Sequence, residues 1–119
     1  LAEDDDAVRG LARELLEARG YQVLEAANGG AALLHIENHV GAIEMLLTDV
    51  IMPEISGSEL ADRALKVRPE LKVLYMSGYT DKSVVHRGII EPDVNFIQKP
   101  FSSNDLTSKV REVLDKESE

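Results

Sequence analysis

Apolar runs of strand length alternate with amphipathic helical segments along this chain, and that alternation narrows the fold more than any other feature. Residues 7–19 place Val8, Leu11, Ala12, Leu15 and Leu16 on one face at helical spacing, and Gly20 follows where a helix stops. Tyr21 to Ala26 reads as a strand, and residues 30–39 as a second helix with Ala32, Leu33 and Ile36 inward. Ile43 to Thr48 is the next strand. Its continuously apolar centre, Met45-Leu46-Leu47, suits a strand covered on both faces. Ser56-Gly57-Ser58-Glu59 has the capping-box pattern that opens a helix. That third helix turns Leu60, Ala61, Ala64 and Leu65 inward and ends at Pro69. Val73-Leu74-Tyr75-Met76 is a fourth strand, and residues 81–90 form a weak fourth helix closed by Pro92. Val94 to Gln98 is a fifth strand whose partial alternation suits a sheet edge. Ser102 or Ser103 caps a last helix with Leu106, Val110, Val113 and Leu114 inward.

Repeated strand–helix units predict an α/β fold, a doubly wound parallel sheet with helices on both faces. At 119 residues the chain fits one domain, spanning 1–119. It contains no cysteine, which excludes disulfides, zinc–thiolate sites and thiol catalysis. A net charge of −9 disfavours direct binding to nucleic acid or anionic lipid. The apolar runs are too short to span a bilayer, and a cytoplasmic location is expected.

Parallel sheets of this kind place ligands at the carboxyl ends of their strands. Strand one ends in Glu3-Asp4, strand three in Asp49, strand four in Ser77-Gly78 and strand five in Lys99-Pro100. Three carboxylates, a hydroxyl and an ammonium therefore converge on one edge. Two carboxylates about 4 Å apart repel by roughly 4 kcal/mol at an effective dielectric near 20. The cluster calls for a cation, and hard oxygen ligands suit Mg²⁺ or Mn²⁺. Lys99 and Ser77 would neutralise the oxygens of a phosphoryl group in transfer, and an aspartate is a competent nucleophile for an aspartyl-phosphate.

These residues resemble the receiver domain of response regulators in two-component signalling, over essentially the whole chain. The motifs are Glu3-Asp4-Asp5 with Val8-Arg9, Thr48-Asp49-Val50-Ile51-Met52-Pro53 with Gly57, Met76-Ser77-Gly78, and Lys99-Pro100-Phe101. The resemblance implies the flavodoxin-like (βα)5 fold with strand order 2-1-3-4-5. It implies Asp49 as phosphoacceptor, taking the group from a phosphohistidine of a histidine kinase or phosphotransfer domain. Glu3, Asp4, Asp49 and the backbone carbonyl of Ile51 would hold the metal, Glu3 through water. Ser77 and Lys99 would meet the phosphoryl group, Ser77 and Phe96 would be the switch pair, and the Lys99-Pro100 peptide would be cis. Phe96-Ile97-Gln98-Lys99-Pro100-Phe101 is similar to receivers of hybrid sensor histidine kinases. A homodimer would use the face formed by the fourth helix, fifth strand and last helix.

The pattern departs from the family in three places. Only Leu1 and Ala2 precede the acidic pair, so residues upstream of Leu1 are expected, and a strand this short predicts an interior gap. The acidic pair is Glu-Asp rather than Asp-Asp. The fourth helix is short, with Glu91-Pro92 interrupting the approach to strand five. Ile51 and Tyr79 occupy the positions that flank the path of attacking water in the family; both are bulky, which predicts slow self-dephosphorylation. Two other functions compete. An Asp-nucleophile phosphatase resembling haloacid dehalogenases wants a second Asp at position 51, which is Ile here. A receiver-like binding module that no longer phosphorylates would not need every charged site residue. The domain itself reads as a self-phosphorylating switch rather than a turnover enzyme. His35, His39 and His86 read as surface histidines, and Asp5 and Asp6 as the start of the first helix.

Overall fold

The computed structural model describes residues 1–52, 54–77, 95–99 and 101–115. Its elements are α1 (Asp6–Glu17), α2 (Gly29–Asn38), β1 (Met45–Asp49), α3 (Gly57–Val67), β2 (Lys72–Ser77), β3 (Phe96–Gln98) and α4 (Ser103–Asp115). The three strands are parallel and lie in the order β1-β2-β3, with Asp49 opposite Met76 and Ser77 opposite Gln98. Ala2 continues the sheet beyond β1 through parallel bridges to Thr48 on one side and Ala26 on the other. The Ala2 amide donates to the Leu47 carbonyl at 2.8 Å, and the Ala26 amide to the Leu1 carbonyl at 2.8 Å. Counted along the sheet, the second, first, third, fourth and fifth expected strands are neighbours in that order, the doubly wound arrangement of the flavodoxin-like fold.

The strand expected over Tyr21 to Ala26 is reduced to its last residue. Strand character requires a partner, and the pairing here is the single bridge of Ala26 to Ala2. A cavity of about 360 Å³ opens beside this segment, lined by residues that include Leu16, Val23, Leu24, Ile36, Met45 and Leu47.

Apolar residues of β1 serve both faces of the sheet. Leu46 belongs to the cluster under α2 and α3, with Ile36, Leu60 and Ala64. Leu47 belongs to the cluster under α1 and α4, with Ala12, Leu16, Leu74 and Val110. A strand covered on both sides needs a continuous apolar run, which is what Met45-Leu46-Leu47 supplies. Leu11 departs from expectation: it is 48% exposed, because Ala12 and Leu16 face the sheet with Leu15 beside them and Leu11 projects to one side.

Each helix begins on a side-chain cap, which satisfies amide donors that have no partner within the helix. Asp5 accepts from Ala7 and Val8, Asn28 from Ala31, and Ser56 from Glu59. Ser102 and Asp105 exchange amide and side-chain bonds at 3.0 and 3.2 Å. The helices return antiparallel to the strands, so these four starts lie at the carboxyl edge of the sheet. At the opposite edge, Arg68 donates to the carbonyls of Ile36, His39 and Gly41, each at 2.8 Å. Lys72 donates to Leu114 near the end of α4 at 2.9 Å. Cations there complement the negative ends of the helix dipoles. Among the described residues, no helix is long and apolar enough to cross a membrane. The expected fourth helix over 81–90 and the start of the fifth strand at Val94 lie outside the described residues, as does the tail from Lys116.

Candidate functional site

Asp49 is the last residue of β1, and its side chain is 12% exposed at the carboxyl edge. Its Oδ2 accepts from Lys99 Nζ at 3.1 Å. Lys99 directly follows β3, and its amide donates to the Ser77 carbonyl at 2.7 Å, which fixes where the side chain departs. The Lys99 ammonium also donates to Oε1 of Glu3. Glu3 is 0% exposed, an unusual setting for a carboxylate. Its Oε2 accepts from the Asp5 amide at 3.1 Å, and its carbonyl accepts from Arg9 Nη1 at 2.9 Å. Carboxylates 96 and 50 positions away in the chain thus share one lysine.

Two neighbours shape the backbone around Asp49. Thr48 is fully buried and its hydroxyl donates to the Asp49 carbonyl at 3.0 Å. Gly57 opens α3 against the same carbonyl: a Cβ there would lie 2.0 Å from the Asp49 oxygen and 3.1 Å from Cα of Val50. Only a residue without a side chain permits this approach. Gly57 stands in the sequence motif, but its role as a spacer under Asp49 emerges only in three dimensions.

Carboxylate oxygens of Glu3, Asp4 and Asp49 all lie within 4.8 Å of one another. One ammonium faces three carboxylates, so two negative charges remain unbalanced, which a divalent cation would neutralise. The strain is visible in Asp4, which is exposed yet has its carboxyl raised above the ordinary aspartate value. The hydrogen bond to Glu3 is the main cause, followed by desolvation. Burial pulls Lys99 down, but the contacts with Glu3 and Asp49 outweigh it and leave the ammonium above the ordinary lysine value. The donor set, all hard oxygens with one side open to solvent, fits Mg²⁺ or Mn²⁺.

The structure therefore brings Glu3, Asp4, Asp49 and Lys99 together. Ser77 lies 1% exposed at the end of β2, one rung beyond the Asp49–Met76 register. Ile51 stands two residues past Asp49 and is 47% exposed. Phe96 is partly buried opposite Tyr75. Pro53, Gly78, Tyr79, His86 and Pro100, with the Lys99-Pro100 peptide expected to be cis, fall outside the described residues. Asp5 starts the first helix as expected, its carboxylate capping α1. His35 bonds the Glu25 carbonyl at 2.8 Å, and His39 follows α2 as its carboxyl-terminal cap. Sequence reasoning missed how deeply Glu3 is buried and how it engages Lys99; no signal in the chain, apart from its place after a central strand, pointed to either.

An acidic cluster at the carboxyl edge of a doubly wound parallel sheet, with an aspartate and a lysine in contact, defines an α/β domain built around a strand-end carboxylate site. The sequence profile of the response regulator receiver domain matches residues 1–111, and the chain belongs to that family of two-component signalling domains. It is 37% identical over 117 residues to the sensor kinase CckA of Brucella abortus (strain 2308), covering 98% of this chain and 12% of that protein. It is 33% identical over 114 residues to the response regulator receiver protein CpdR of the same organism, covering 96% of this chain and 93% of that one. The crystal structure of the receiver domain from the hybrid histidine kinase CckA superimposes with a TM-score of 0.80 at 40% identity. That match covers 96% of this chain and 95% of the other.

Proposed function

We propose that this chain is a phosphoacceptor switch that takes a phosphoryl group from a phosphohistidine onto Asp49. The observation that carries the reading is the contact of Asp49 Oδ2 with Lys99 Nζ at 3.1 Å, inside an acidic cluster open on one side. One ammonium cannot neutralise this cluster, and a bound Mg²⁺ would supply the remaining positive charge for a phosphoryl group in transfer. Asp4, Asp49 and the Ile51 carbonyl, with Glu3 adjacent, are the groups to hold it.

The chain's own residues account for the rest of the step. Lys99 orients the Asp49 carboxylate by holding Oδ2. The other oxygen attacks phosphorus in line, the O–P bond forms as the N–P bond breaks, and the imidazole of the donor leaves with the electron pair and takes up a proton. The amino-terminal ends of α1 and α3 face the site and favour added negative charge. Ser77, at the end of the neighbouring strand, would donate to the new phosphoryl oxygens. Its movement would draw on β2, where Tyr75 lies opposite Phe96. Phe96 would then act as the packing end of the switch.

The partner in this reading is a histidine kinase or phosphotransfer domain in the cytoplasm. The receiver spans residues 1–119, and its net charge of −9 disfavours direct binding to nucleic acid. Likeness to the CckA receiver supports a hybrid-kinase setting, and likeness to CpdR supports a stand-alone receiver. Association of two copies through the β3–α4 side would be the route to a dimer.

The test is intact-mass spectrometry after incubation with Mg²⁺ and acetyl phosphate. Wild type should gain one phosphoryl adduct, and Asp49→Asn or omission of Mg²⁺ should abolish it. An adduct of equal yield on Asp49→Asn rejects the reading.

A further inference from the structure

Gly29, the first residue of α2, is buried, and the space beside its Cα is taken by a residue from another part of the chain. A Cβ there would overlap Cγ1 of Ile55 and lie 2.5 Å from its Cδ1. Ile55 stands between β1 and α3 and packs half-buried against the core under α2 and α3. The residue before it, Glu54, has a φ of 72°, a left-handed backbone that is strained for a glutamate. Glycine, asparagine and aspartate visit that conformation readily, but glutamate has no such preference. The seat of Ile55 on Gly29 and the entry into α3 hold Glu54 there. Two residues further on, the same stretch meets Asp49. The Gly57 amide donates to the Val50 carbonyl at 2.8 Å, and the missing Cβ of Gly57 leaves room for the Asp49 carbonyl. At the far end Asn28 fixes the first turn of α2. Its side chain accepts from the Ala31 amide at 2.8 Å and its carbonyl from the Ala32 amide at 3.1 Å. Packed groups therefore join the backbone of Asp49 to the start of α2, with a strained residue at the joint.

On the reading that Asp49 accepts a phosphoryl group, we propose that Ile55 is a latch between the modified residue and α2. In the unmodified protein Ile55 is seated on Gly29 and Glu54 is held left-handed. Modification of Asp49 shifts the backbone that Gly57 abuts, Glu54 relaxes, and Ile55 leaves its seat. The strain at Glu54 favours release, so a small shift at Asp49 selects between two discrete arrangements. The first turn of α2 is then loosened. Leu34, 61% exposed on the same helix, belongs to the surface that this movement alters, apart from the side that carries Phe96.

Hydrogen exchange at the Ala31 and Ala32 amides reads the latch. Wild type treated with acetyl phosphate and Mg²⁺, and shown by intact mass to carry the adduct, should exchange these amides roughly threefold faster than unmodified protein. Ile55→Ala should show the faster exchange before modification and no further rise after it, with the adduct still formed. Gly29→Ala should also speed exchange, although alanine is the better helix former and would by propensity alone slow it. The double variant should add nothing to either single one, because both break the same contact. Glu54 is exposed, so Glu54→Gly tests the latch even where the packing variants lose the fold. It removes the strain and should shrink the rise that follows modification. Exchange that is unchanged or slower in wild type carrying the adduct overturns the latch and leaves the phosphoacceptor reading standing. Additive effects of Gly29→Ala and Ile55→Ala overturn it equally. If wild type forms no adduct, the phosphoacceptor reading fails and the latch falls with it.

Discussion

The two edges of the sheet are built from opposite materials. Four of the five buried polar residues among those described, Glu3, Thr48, Asp49 and Ser77, stand along the carboxyl edge. Charges there face one another, and an exposed aspartate is pushed toward protonation by its neighbour. At the amino edge the long cations Arg68 and Lys72 close the ends of helices by donating to carbonyls. Parallel winding produces this division, because it gathers helix starts at one edge and helix ends at the other. Like charges are concentrated at the carboxyl edge, and opposite partners are matched where the fold needs closure.

Substitutions at the two edges should therefore separate stability from phosphorylation. Gly57→Ala should have the largest effect of these, because its Cβ would overlap the Asp49 carbonyl. Overpacking against backbone should cost about 3 kcal/mol and also slow acceptance of phosphate, as read by urea unfolding and intact mass. Arg68→Ala should cost about 2 kcal/mol in the same unfolding measurement, since three carbonyls lose a charged donor. Its phosphorylation rate should match wild type; a loss of rate as large as that of Gly57→Ala would break the division between edges.

Smaller effects sharpen the same contrast. Ile51 is half-exposed beside Asp49 and offers nothing to orient water. Ile51→Asn should shorten the phosphoryl half-life by roughly threefold, about 0.6 kcal/mol of barrier, with no change in unfolding free energy. A half-life unchanged or longer would remove Ile51 from the account. Tyr75 provides the mildest probe. Burial, then the charge of Asp62, raises its phenol above the ordinary tyrosine value of 10.0. The folded state thus resists ionisation that the unfolded state allows. The stabilising contribution is complete below pH 10 and fades as pH rises through the higher folded value. Tyr75→Phe should flatten that alkaline loss in a pH series of thermal unfolding, leaving phosphorylation unaltered.

Much of this architecture was legible in the chain. The unbroken apolar run of β1 announced a strand covered on both faces, and Leu46 and Leu47 do enter different clusters. The caps at Ser56 and Ser102 were readable because capping is local: donor and acceptor lie three residues apart. Leu11 was misread because periodicity marks an apolar stripe without saying how much of it a partner covers. The strand at 21–26 was misread for a related reason, since strand formation depends on what lies opposite and not on propensity alone.

The sequence by itself determined the alternation of elements, the winding, and the set of charged residues delivered to one edge, because each depends on spacing and local chemistry. Tertiary structure alone decided how those charges are divided. Lys99 lies between Glu3 and Asp49, Glu3 is sealed inside while Asp4 stays outside, and Gly57 leaves room for the Asp49 carbonyl. The lysine contacts join residues dozens of positions apart, and electrostatic energy depends on distance and burial, which no linear spacing contains.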